Sequence, residues 1–525
     1  MKRVISRWTA VGLAVAALFW TVGPALANNV VVTNTALETA SPVAAGTVKV
    51  KFDLSWDNSW RNGINYDACW VFVKYSTDSG TNWSHATLAG NGTNPTGFSA
   101  GSGTGLDIVV PSDRKGAFIQ RSAVGAGTVS NTALKLVWDF QANGVAPSQK
   151  ARVQVFAIEM AYIPSGSFYA GDGTAGTVEG QFCAGTSGST PFLITNEAYA
   201  ITLGGGGAGS MGNHNATGIL SGEDFNDSTA RTLPSAFPKG YAAFYLMKTE
   251  MSQRQYCDFL NTLPTQQQTN RVSAALHYGS QRNYIKRTSS SPAFFGCDAN
   301  NNAGSATSAT ASSLNEANDG EWTACNYVSW MDVAAYADWA ALRPMTELEF
   351  EKACRGTNAP VADEFVWGNT TMPAKPSSLN NAQTASETPN PGNCNVSGST
   401  GGGPYRCGSF ATASSTRQDA GAGYYGCLDL AGNLFEQVVT LGNSTGRGFA
   451  GTHGDGVLSA NGRSNNADWP GWSGAEVTGS TGSGGRGGDF SDGNNNARTS
   501  DRQLINNTSA NWPEIWGWHG VRTAP

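Results

Sequence analysis

Between Thr47 and Trp56 the chain reads TVKVKFDLSW, with Val48, Val50, Phe52 and Leu54 alternating with Lys49, Lys51 and Asp53. Successive side chains of a strand point to opposite faces, so the apolar set shares one face and the charged set the other. ALKLVWDF repeats the pattern with Leu134, Leu136, Trp138 and Phe140, and CWVFVKYS and ARVQVFAIEM add two more apolar runs. Clusters of Gly, Ser, Asn and Pro separate these runs, and no helical period intervenes. The stretch from Asn28 to Glu159 therefore predicts an all-β sandwich domain. Its aromatic-rich segments, WDNSW and NYDACW, read as core and strand-edge packing.

From Met160 onward the period changes. In SQRQYCDFLNTL, Ser252 is placed to cap a helix that puts Tyr256, Phe259, Leu260 and Leu263 on one face. SWMDVAAYADWAAL predicts a second helix, capped by Ser329, with Val333, Tyr336, Ala337 and Ala340 inward. Thr346 to Glu349 form a capping box that opens a third, and Gly356 closes it after Arg355. The rest is short apolar pieces in Gly/Asn/Ser-rich chain, and the 65 glycines fit a loop-rich α+β architecture. Such a region needs many local ties.

Lys2, Arg3 and Arg7 precede the apolar run VGLAVAALFW, and Ala25-Leu26-Ala27 follows as a small-x-small cleavage motif. Residues 1–27 thus predict a signal peptide, with export to the extracellular space, the cell surface or the periplasm. No stretch after it is apolar for long enough to predict a membrane span. Without its three basic residues the chain keeps 30 Lys and Arg against 39 Asp and Glu, a net charge of −9. That balance argues against a nucleic-acid partner, which requires a basic footprint. Export also permits disulfides, and eight of the nine cysteines lie between Cys183 and Cys427 with pairing left open. None has zinc-site spacing.

Seven blocks occur in one order: MAYIPSGSFYAGDG, FYLMKTEMSQRQYCDFL, NYVSWMDVAAYADWAALRPMTELEFEKACRG, FVWGN, GCLDLAGNLFEQV, GRGGDF and HGVRTAP. Together, over residues 160–525, they resemble the sulfatase-modifying-factor family, whose founding activity is the formylglycine-generating enzyme. The resemblance implies an irregular α+β fold related to C-type lectins. It also implies structural calcium in the loop around AGN, which here would be held by Asp429, the carbonyls of Gly432 and Leu434, and Glu436. Calcium accepts such mixed sets of carboxylate and carbonyl oxygens.

The family's catalysis uses two cysteines that bind copper(I) after a GGS-aromatic segment. Here the segment is Gly487-Gly488-Asp489-Phe490, the cysteine positions fall at Asp492 and Ala497, and no cysteine follows Cys427. A carboxylate and a methyl group do not replace two thiolates, so copper is not expected. Relatives with an iron centre use paired histidines. His85, His214, His277, His453 and His519 show no paired spacing, and only His453, in GTHGDG beside Asp455, sits in a loop suited to a metal.

GGRGGDFSDGNNNARTSDR, residues 484–502, reads instead as a loop tied down by Gly487, Gly488, Phe490, Arg498 and Arg502. It resembles the Asn-rich variable segment of retroelement-diversified lectin-fold proteins. Its candidate ligand-binding residues are Asp492, Asn494, Asn495, Asn496 and Arg498, joined by Trp512, Trp516 and Trp518 downstream. The leading expectation is a secreted, non-catalytic binding or surface-structural protein whose ligand is a glycan, peptide or surface polymer. The alternatives are an oxidoreductase of the same scaffold with relocated metal chemistry at His453, Asp455 and Asp492, and a self-associating extracellular subunit.

Overall fold

The alternating stretches fold as strands in the computed structural model, which describes residues 29–525 apart from 40, 41, 175–177, 186, 187, 215–222, 275, 507–510 and 512. The expected signal peptide and Trp512 lie outside the described residues. The N-terminal strands are β1 (Val31–Glu38), β2 (Thr47–Arg61), β3 (Asp67–Ser76), β4 (Leu106–Val110), β5 (Ala117–Arg121), β6 (Gly125–Asp139) and β7 (Arg152–Ile163). Strands β1, β2 and β6 lie side by side in one sheet, and β7, β3, β5 and β4 follow one another in a second. Val50, Phe52 and Leu54 of β2 and Leu134, Leu136 and Trp138 of β6 share a buried core with Val71 and Val73 of β3 and Ile119 of β5. The charged alternates of β2 stay at the surface, as the period-two pattern requires.

Further on come β8 (Phe244–Met247), β9 (Arg343–Pro344), β10 (Phe435–Val439), β11 (Ser483–Arg486), β12 (Trp516–Gly517) and β13 (Gly520–Thr523). Strand β7 connects the two parts of the chain. One edge pairs with β3 from Arg152↔Ser76 to Ala161↔Asp67, and the other pairs with β8 from Met160↔Met247 to Ile163↔Phe244. Strand β8 then pairs with β13, and β13 with β9. The position at which the sequence changes character, between residues 159 and 160, falls inside β7. The sheet that carries the N-terminal strands thus continues to the C-terminus.

Helices α1 (Gln253–Leu260), α2 (Thr265–Arg271), α3 (Trp330–Trp339) and α4 (Glu347–Arg355) are short. Three of them carry the caps expected from sequence. Ser252 with Gln255, Ser329 with Asp332 and Thr346 with Glu349 each form a capping box, and Gly356 ends α4 at φ 68°. The inward residues Tyr256, Phe259, Leu260 and Leu263, and likewise Val333, Tyr336, Ala337 and Ala340, are buried. The expected disulfides are not present: all nine cysteines are free, buried thiols. Buried ion pairs and side-chain-to-backbone hydrogen bonds supply the local ties instead.

One such tie fastens the seam at β7. Lys248 Nζ lies 2.5 Å from Glu159 Oε1 with both side chains buried, and its ammonium sits 4.9 Å from the centre of the Trp60 ring. Nearby Asp67 accepts from Trp56 Nε1 at 2.9 Å, Ser59 Oγ at 2.8 Å and the Trp60 amide at 3.1 Å, so WDNSW is a packing segment. Replacing Lys248 with Met leaves the Glu159 carboxylate buried without a cation. The expected loss is about 3–5 kcal/mol in urea unfolding, largely recovered in K248M/E159L; a loss under about 1 kcal/mol in the single variant contradicts this role for the pair.

Candidate functional site

The glycine-rich loop starts from β11, which pairs antiparallel with β10 from Glu436↔Arg486 to Val439↔Ser483. Gly487 and Gly488 follow at φ 86° and 74°, and a Cβ on Gly487 would come 2.6 Å from the Leu430 carbonyl oxygen. Only glycine allows this turn so close to neighbouring backbone. The loop's arginines point inward. Arg486 reaches Glu347 at 3.3 Å and Glu351 at 2.9 Å, and Arg502 reaches Glu347 at 2.7 Å, with all four side chains fully buried. Arg355 continues the chain of charge from Glu351, at 3.2 Å, to Glu364. Arg502 also donates to the Gly180 carbonyl at 2.8 Å and lies 4.3 Å from the centre of the Phe182 ring.

This network decides where the candidate ligand residues lie. Arg498 donates to the Asp363 carbonyl and stacks on Phe365, 4.5 Å from the ring centre, so it fastens the loop as expected. Asn496 is buried and donates to Gln503 at 2.6 Å. Trp516 and Trp518 are core residues, 2% and 0% exposed, and present no face to a ligand. Trp516 packs on Phe435 at 5.3 Å between ring centres and Trp518 edge-on to Tyr336 at 5.9 Å. In a region with so few regular elements, large aromatics fill interior volume. At the tip Ser491, Gly493 and Asn495 are exposed, and Asp492 and Asn494 are half-buried. Burial, and then the neighbouring Asp489 charge, push the Asp492 carboxyl up to about 6. Ala497 is fully buried beside Val438 and Ile505.

The AGN loop holds a second cluster. Asp429, Gly432 and Asn433 take φ values of 61°, 66° and 66°, which curl the chain into a tight cradle. Asn433 is its hub: its Oδ1 accepts from the Tyr405 amide at 2.7 Å and from Asn395 Nδ2 at 3.1 Å, and its carbonyl accepts from the Phe490 amide at 3.0 Å. Its Nδ2 donates to Glu250, whose other oxygen accepts the Leu434 amide at 2.9 Å. Asp429 Oδ2 accepts from the Gly408 amide at 2.7 Å. Glu436 Oε2 lies 2.8 Å from His519 Nδ1, with both side chains fully buried, and this contact lowers the Glu436 pKa against the desolvation that raises it. Nε2 of His519 is 3.1 Å from the Leu428 carbonyl.

Glu250 and Glu436 are fully buried, and Asp429 is half-buried. Desolvation is the largest cause of each upward pKa shift, to about 6 for Asp429, and the charges of Asp429 and Glu436 add to it at Glu250. Glu250 and Asn433 are the organisers that sequence reasoning missed. Glu250 lies one residue before Met251 in a quoted block, but nothing local indicates a partner 183 residues away.

No three His, Cys, Asp or Glu side chains among the described residues form a metal-ligand group. The Asp429, Gly432, Leu434 and Glu436 set, with two carboxylates and two carbonyls, is not such a group. His453 Nε2 accepts the Thr523 amide at 3.0 Å, and burial with the nearby Arg522 and Arg343 charges holds its pKa well below the usual range. Its lone pair is therefore already in use.

Removing the shared anion separates structural from surface roles in this loop. Glu347→Ala leaves Arg486 and Arg502 buried without their common partner and should cost about 3–5 kcal/mol in denaturant unfolding. Asp492→Ala at the tip should change stability by no more than about 0.5 kcal/mol. Similar losses in the two variants would show that the loop is not clamped as described.

The scaffold can be compared with known families. No curated protein matches the chain. A family model for the sulfatase-modifying factor enzyme 1-like domain matches residues 148–524, from just before β7 to the last residue but one. The chain belongs to the sulfatase-modifying factor enzyme 1-like family.

Proposed function

We propose that the chain is an exported, non-catalytic binding or surface-structural protein built on this scaffold and stabilised by calcium. One observation carries the non-catalytic reading. At the positions where the resemblance places two copper-binding thiolates, this chain has Asp492 and Ala497, and its last cysteine is Cys427. Copper(I) favours soft sulfur ligands, whereas Asp492 offers a hard oxygen and Ala497 a buried methyl group. These residues do not fit the copper centre. The surface that remains is the tip around Asp492, Asn494 and Asn495, a mixture of carboxylate and amide groups suited to an extracellular glycan, peptide or surface polymer.

Calcium fits the other cluster. Asp429 and Glu436 would supply carboxylates, and Gly432 and Leu434 carbonyls, all hard oxygen donors. Glu250, Asp429 and Glu436 crowd together, and the charges of Asp429 and Glu436 raise the Glu250 pKa. A divalent cation would relieve that repulsion.

The test is a turnover assay on the purified protein, loaded with copper(I) under oxygen and given a cysteine-containing sulfatase-type peptide. Mass analysis should detect no aldehyde above a copper-only control, and product above it would overturn the non-catalytic reading. Chelator-treated protein recharged with calcium should gain several degrees in melting temperature, and Glu436→Gln should abolish that gain. An unchanged melting temperature in the unsubstituted protein would remove calcium from the account.

A further inference from the structure

Strand β7 has one incomplete edge. Its pairing with β3 runs from Arg152 to Ala161, but β8 covers the opposite edge only from Met160 to Ile163, with the Lys248 amide adding one bond to the Glu159 carbonyl. Antiparallel strands turn alternate residues toward alternate edges. Because Glu159 faces the β8 side, Val153, Val155 and Ala157 also direct their amides and carbonyls there. Among the described residues no strand or loop backbone pairs with them. Strand β1, whose only strand partner among the described residues is β2, lies alongside.

A cleft of about 650 Å³ follows this edge. One wall is Asn29 and Val30 with β1 as far as Thr35, the floor is Val153 to Glu159, and the far wall is α1 with Phe294, Trp322 and Trp339. That volume is in the range of established ligand clefts, about 300–1,000 Å³. Its charged groups are already engaged: Arg254 contacts Asp258 at 3.1 Å and Glu321 at 3.6 Å, Glu159 contacts Lys248 at 2.5 Å, and Arg406 donates to the carbonyls of Glu387 and Cys407, each at 3.0 Å. An occupant therefore needs no net charge. It does need main-chain donors and acceptors at the strand repeat, together with apolar side chains for the aromatic wall.

We propose that this cleft binds an extended, uncharged peptide segment of a partner protein, which adds to the free edge of β7 as a further strand. The segment's amides and carbonyls pair with Val153, Val155 and Ala157, and alternate apolar side chains pack on Phe294 and Trp322. This site lies apart from the tip around Asp492 and does not depend on a ligand there.

The probe is a blocked, fluorophore-labelled heptapeptide of alternating valine and serine, titrated into the purified full chain and followed by anisotropy. Saturable binding is expected, weakened about tenfold or more by N-methylation of alternate peptide amides, since two or three hydrogen bonds are then lost. Val153→Pro, at a half-buried position near the start of β7, removes one outward amide and leaves the β3 ladder, which uses the even-numbered residues, intact. It should weaken binding several-fold while lowering the melting temperature by no more than a few degrees. Equal affinity for the methylated and unmethylated peptides would overturn the proposal, as would no saturable binding of either at millimolar concentration. Helix α1 would then simply shield an edge from aggregation.

Discussion

Glu347 and Glu351, one turn apart on α4, are the anions on which the C-terminal region closes. Each takes a guanidinium from the glycine-rich loop, and Glu351 also takes one from Arg355 on its own helix. These groups are fully buried, so each depends on its partners: removing one leaves a charge in a medium that solvates it poorly. The same clamp fixes Gly487 against Leu430 and brings Phe490 onto Asn433, linking the loop to the AGN cradle. A region with few regular elements is thereby held by side chains rather than by ladders.

That constraint shapes the functional reading. A loop clamped at Arg486, Arg498 and Arg502 offers only a small tip, with its arginines spent on structure. The cradle concentrates three carboxylates where burial penalises charge. The sheet, in turn, carries order from the N-terminal strands to the last strand through β7. Lys248 and Glu159 fasten the seam, and Arg522 of β13 contacts Asp113 beyond β4. Loop, cradle and seam are coupled through short connections in one body of packed side chains.

Local features were legible in the sequence. The alternation in TVKVKFDLSW became β2, and Ser252, Ser329 and Thr346 became caps, because both signals act within a few residues. The block order identified the scaffold. The long-range pairs were not legible: Glu347, Glu351 and Arg355 look like an ordinary charged helix face, and Arg502 lies 155 residues from Glu347. Trp516 and Trp518 stand among asparagines and glycines in sequence, which suggested a surface, yet the fold turns them inward against Phe435 and Tyr336. The cysteines likewise suggested bridges, but burial among apolar neighbours is the commonest setting of a free thiol.

Amide hydrogen exchange across residues 484–502 tests the clamp most directly. The amides of 484–490 and 496–502 should exchange about as slowly as those of β10, with fast exchange confined to 491–495. Uniformly fast exchange from 484 to 502 would contradict the account, because a loop open along its whole length cannot be held by Glu347 and Glu351.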